Sequence, residues 1–194
     1  MRLIAIAAAL LAVTASAAQA HTGHPLHGAG AGLLHPLTGL DHLLAMLGVG
    51  IWAAHIGATG ERRATWLVPA SFVTVMALGA VAGLSGATLP LAEAGIIGSV
   101  VLLGLLIAAT PRLPLWAPMA VVGLFAFCHG FAHGAEMPVA SSALAYGAGF
   151  LAATVALHLA GIGIGLLARR LSGTVGVRVV GGAMALAGIA LAAT

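Results

Sequence analysis

The stretch FCHGFAHGAEMP, residues 127–138, sets His129, His133 and Glu136 in one of the most apolar parts of the chain. On a helix these three side chains fall within roughly a 60° arc of one face. Two imidazoles at i and i+4 can reach one metal ion, and a carboxylate a turn further on can add an oxygen ligand or accept an imidazole N–H. A second cluster lies at residues 35–46, where His35, His42 and Met46 share one helical stripe and Asp41 sits about a third of a turn away. Asp41 can bind a cation from the side or meet a group on a neighbouring helix. His158 stands alone in a third apolar run. Near the start, HTGHPLH (21–27) brings His21 and His24 close together, with His27 beside them. A free amine at His21 and these imidazoles could chelate a metal together, or the segment is a Gly-rich leader with incidental histidines.

Imidazole suits nickel, cobalt, copper and zinc, and carboxylate suits harder ions. The single cysteine, Cys128, excludes any multi-cysteine zinc or iron–sulfur site and lies about 100° from His129 around the helix. A His-rich N/O set therefore reads as a Ni²⁺ or Co²⁺ site, with Zn²⁺ and Cu²⁺ still open. The bland alternative is a set of interhelical hydrogen bonds in which neutral imidazoles donate to carbonyls. His129 and His133 also have the spacing of H-E-x-x-H, but Gly130 stands where the catalytic glutamate would be. In an intramembrane metallohydrolase Glu136 would have to act as the base.

The elements that must position these residues are membrane helices. Of the 194 residues 61% are hydrophobic and 6% charged, against about 25% charged in a soluble domain. The net charge of +3 comes from seven scattered basic residues, too dispersed to track nucleic-acid phosphates. Residues 1–20 read as a secretory signal peptide with an A-x-A cleavage site at Ala18–Ala20. Residues 21–32 read as a His/Gly-rich periplasmic segment, and 33–194 as an all-α bundle of six transmembrane helices. The expected spans are 33–56, 66–87, 91–110, 115 to about 138, a fifth ending near 168, and 177–193. Arg62, Arg63, Arg112, Arg169 and Arg170 all fall in connections on one side, which the positive-inside rule makes cytoplasmic. Both termini are then periplasmic. Trp52, Trp66 and Trp116 fall near the cytoplasmic span ends, as belt anchors would. His55 and Glu93 read as interfacial. Gly79/Gly83 and Gly161/Gly165 form G-x-x-x-G pairs that let helices approach closely.

HPLTGLDHLLAMLGVG (35–50), HGFAHGAEMP (129–138) and HLAGIGIG (158–165) resemble the three signature regions of the HupE/UreJ family of small bacterial membrane proteins. The resemblance implies a nickel or cobalt permease of the inner membrane, a secondary transporter or facilitator with no cofactor and no enzymatic activity. It is linked to hydrogenase, urease or cobalamin systems, and the metal ion is its substrate. It carries His35, Asp41, His42, His129, His133, Glu136 and His158 into the ion path. A metal-dependent hydrolase and a non-transporting accessory protein for hydrogenase or urease maturation remain the alternatives. No Walker motif is present, so direct ATP use is not expected.

Overall fold

A computed structural model describes residues 28–137 and 142–193. The signal peptide expected at 1–20, His21, His24 and the connection at Pro138 lie outside that range. The described residues are all helical apart from turns: α1 (Ala29–Thr38), α2 (Leu40–Ala58), α3 (Ala64–Leu84), α4 (Ala92–Ala109), α5 (Trp116–Ala135) and α6 (Ala143–Ala192). Five of them, α2 to α6, are long and apolar enough to cross a membrane.

Two of the expected elements differ. The first span is not continuous, because α1 stops at Thr38, Gly39 is extended (φ −93°, ψ 119°), and α2 starts anew. Pro36 lacks the N–H that would continue the ladder, and Thr38 Oγ1 bonds back to the His35 carbonyl at 2.8 Å. Helix α1 also begins at Ala29, inside the segment expected to precede the bundle. The connection RRLSGTVGVR shrinks to a break at Ser172 and Gly173 within α6. Gly173 has φ 59° and ψ −148°, a conformation open essentially only to glycine. The expected fifth and sixth spans are thus the two arms of one broken helix.

Close backbone approach holds the helices together. Gly79 and Gly83 of α3 lie against the backbone of Phe127 and Phe131 on α5, and Gly130 and Gly134 of α5 lie against Met76 and Ala80 of α3. The sequence shows the first pair as a packing motif. The second is hidden because it alternates with the histidines. Gly50 of α2 likewise meets His158 and Gly161 on the first arm of α6, and Gly104 of α4 meets Ala185 on the second. The partners run parallel in the first two crossings and antiparallel in the third. Lipid tails give apolar helices little reason to associate, so contact between such small residues carries the packing.

The last turns of α2 and α4 meet the break in α6 at one end of the bundle. Arg169 and Arg178 lie within electrostatic reach of His55, and Arg178 donates to Thr110 Oγ1 at 3.1 and 3.2 Å. His55 is buried there rather than interfacial. Trp52 is fully buried and corrects the belt reading, since its face of α2 packs into the bundle. Trp66 and Trp116 are exposed, as belt residues are.

Gly130→Val should drive a side chain into the Met76 carbonyl and cost about 3 kcal/mol. The expected result is a lowered thermal transition of the purified protein in detergent. Gly182→Ala, where an added methyl meets nothing within 4 Å, should leave the transition unchanged or raise it slightly.

Candidate metal centre

The break at Gly39 and the α3–α5 crossing together decide what meets. Helix α5 turns its glycines toward α3, so His129 and His133, about 100° away on the wheel, turn into the bundle. Helix α2 begins at Leu40, which puts Asp41 and His42 in its first turn, and α1 ends just before it with His35 in its last.

The four imidazoles form one nest. Ring centroids lie 4.5 Å apart for His42 and His133, 4.9 Å for His42 and His129, 4.7 Å for His35 and His133, and 6.5 Å for His35 and His42. Two sets of side chains offer ligand atoms that all lie within 4.8 Å of one another: His42, His129 and His133, and His35, His133 and Glu136. Ligands opposed across an ion with bonds of about 2.1 Å sit roughly 4.2 Å apart, so small rotamer changes would close either set. Glu136 is not in the helix proper. It caps the end of α5 with φ −90° and ψ 0°, exposed, its Oε2 3.8 Å from His35 Nε2.

Hydrogen bonds fix two of the rings. Asp41 Oδ1 accepts from the His42 backbone N–H and from His42 Nδ1–H, both at 2.8 Å. That leaves the lone pair of His42 on Nε2, which is buried with no hydrogen-bond partner. Asp41 thus stands behind an imidazole and belongs to neither ligand set, in the arrangement that orients metal-binding histidines and raises their basicity. On the α4 side, the Ser99 hydroxyl gives its proton to the Ile96 carbonyl at 2.6 Å and lies 3.1 Å from His129 Nε2. A hydroxyl has one proton, so Ser99 accepts from His129 Nε2–H and the His129 lone pair lies on Nδ1. His133 has neither nitrogen paired.

Other residues singled out in the sequence fall outside the nest. Met46 is fully buried in the apolar core. Cys128 points at Gly95 of α4. His158 is buried but separate, with Phe72 between it and the nest, its ring centroid 5.8 Å from that of His129 and 5.1 Å from that of His158. Ser99, Phe72 and Phe150 are the residues that sequence reasoning missed. Phe150 packs on the His133 ring at 4.0 Å. Apolar or singly hydroxylated positions in an apolar run carry no signal of their own. Tyr146, its ring 6.0 Å from His35, completes the wall. Glu93, exposed in the first turn of α4, lines with Glu136 a cleft of about 450 Å³ beside the nest.

The fold and this nest define a multi-pass helical membrane protein with a buried cluster of imidazoles reached by a carboxylate at one end. The family model described as HupE / UreJ protein matches residues 8–191, and the chain belongs to that family. It is 49% identical over 176 residues to Protein HupE of Rhizobium leguminosarum bv. viciae, covering 91% of this chain and 90% of that protein. No solved structure matches it.

Ser99→Ala should release the His129 tautomer. Imidazole ¹⁵N spectra should change from one Nε2-protonated form to a mixture, at a stability cost of about 1 kcal/mol. Ser99→Thr should keep the wild-type pattern.

Proposed function

We propose that this chain is a divalent transition-metal permease that imports Ni²⁺ or Co²⁺ across the bacterial inner membrane, with its termini in the periplasm. The observation that carries the reading is the meeting of His42, His129 and His133 inside an apolar bundle, each with a nitrogen lacking any protein partner. Ionisable groups in membrane helices are costly and mark pathways by default. Nitrogen donors with one carboxylate favour nickel and cobalt over harder ions. The N-terminal histidines, His21 and His24, would collect a scarce ion outside. The nest would strip its water, and release would follow past Phe72 and His158 toward the arginine-rich end. The family's association with hydrogenase and urease systems agrees with a nickel or cobalt substrate, and a cobalamin system would draw on cobalt.

The hydrolase alternative loses support at Gly130. In H-E-x-x-H that position carries the glutamate base, whereas here it faces the α3 backbone so closely that even a methyl would overlap Met76. A non-transporting accessory protein would bind the ion without moving it, and flux separates the two.

Proteoliposomes containing the purified protein should take up Ni²⁺ or Co²⁺, and His42→Ala or His129→Ala should reduce uptake at least about 10-fold. Unchanged uptake in either variant at normal protein level would sink the proposal. Imidazole binds metal only when neutral, so protonation competes with the ion. Acidifying the outside medium should therefore lower uptake, and returning it to neutral should restore it. Uptake insensitive to pH would count against imidazole ligands.

A further inference from the structure

The two ligand sets share one residue. His133 belongs to the set with His35 and Glu136 and to the set with His42 and His129. A neutral imidazole has one lone pair and one N–H, so it can ligate one cation at a time. Two ions side by side would need His133 as an imidazolate bridge, its one N–H proton lost. The two positions are therefore exclusive, and filling one empties the other.

They also differ in kind. The first set contains exposed Glu136 and half-buried His35, so it reaches the surface. Its carboxylate suits an ion that still holds part of its hydration shell. The second set is all imidazole, with His129 and His133 buried. There His42 is held by Asp41 and His129 by Ser99. Within that set only His133 has no hydrogen bond on either nitrogen, its ring being held by packing on Phe150 alone among the walls. The hydrogen-bonded rings define the buried position, and His133 lies between it and His35.

Resting on the permease reading above, we infer that the chain holds one ion in two overlapping positions, a surface position of His35, His133 and Glu136 and a buried position of His42, His129 and His133, with His133 passing the ion from the first to the second. The step exchanges ligands and involves no redox change. The ion leaves Glu136 Oε and the His35 imidazole for the lone pairs of His42 Nε2 and His129 Nδ1. His133 turns about its Cβ–Cγ bond to follow it. Sharing one ligand keeps the ion attached throughout, which lowers the barrier to dehydration in a site walled by Phe72 and Phe150.

The test uses the full chain in detergent with Ni²⁺ as probe, comparing binding stoichiometry, X-ray absorption of the bound metal, and uptake into vesicles. One Ni²⁺ per chain is expected, with nitrogen-rich coordination. Glu136→Gln and His35→Gln, at exposed or half-buried positions, should keep that spectrum and lower uptake from limiting Ni²⁺ roughly 10-fold. His129→Asn should still bind one ion, now with a carboxylate oxygen in the spectrum, and should not transport. His133→Asn should weaken binding more than either single-set variant does. Two tightly bound Ni²⁺ per chain would overturn the hand-over. So would a spectrum that does not change in His129→Asn, with wild-type uptake intact. A wild-type chain that neither binds nor transports Ni²⁺ or Co²⁺ overturns the permease reading itself. A monodisperse elution profile for each variant separates loss of a ligand from loss of the fold.

Discussion

A neutral imidazole carries one donor and one acceptor, and burying either unpaired costs about 1–3 kcal/mol. This bundle buries several. His42 and His129 each have one nitrogen paired and one free, and His133 and His158 have neither paired. His129, His133 and His158 are buried among helices with apolar outer faces, so solvent does not reach them from the lipid side. The apolar packing must hold these rings in place against that cost. A set of lone pairs that only a cation or water could satisfy is costly for a scaffold and useful for an ion pathway.

The packing that holds them is written in the same few residues. In His129-Gly130-Phe131-Ala132-His133-Gly134, each histidine is followed by a glycine. One helical turn then presents imidazole to the interior and bare backbone to α3. The glycines set how closely α5 approaches α3, and so how far the rings reach toward α2. On the opposite side, Gly39 breaks the first helix so that His35 and His42 approach the same rings from separate elements.

Much of this was legible in the sequence, and the limits have physical causes. The helical wheel put His129, His133 and Glu136 on one face, and the structure keeps them together although Glu136 lies just past the helix end. The first and fourth expected spans each carried imidazoles and a carboxylate, and the structure brings those two clusters together. The wheel could not show the break at Gly39, because a glycine after a proline turn fits a kink and a full stop equally well. Trp52 and His55 read as interfacial from their distance along the span, yet burial depends on which neighbour covers a face, and that is set by long-range packing. Ser99 is the plainest case: its role depends on a contact thirty residues away with a ring that does not mark its partner in sequence.

The polar inventory is divided between the two ends of the bundle. Imidazoles and carboxylates gather where α1, α2 and α5 meet, and guanidinium groups gather at the break in α6 beside the last turn of α2. Between them lie Phe72 and His158. Under the proposed function this order has an electrostatic logic. A conducting site must bind well enough to admit the ion and weakly enough to release it. Neutral ligands backed by Asp41 do the first. Fixed positive charge from Arg169 and Arg178 near His55 does the second, because it disfavours a divalent cation lingering at that end. The same arginines that would set orientation by facing the cytoplasm would then also make that face a poor place for the ion to stay.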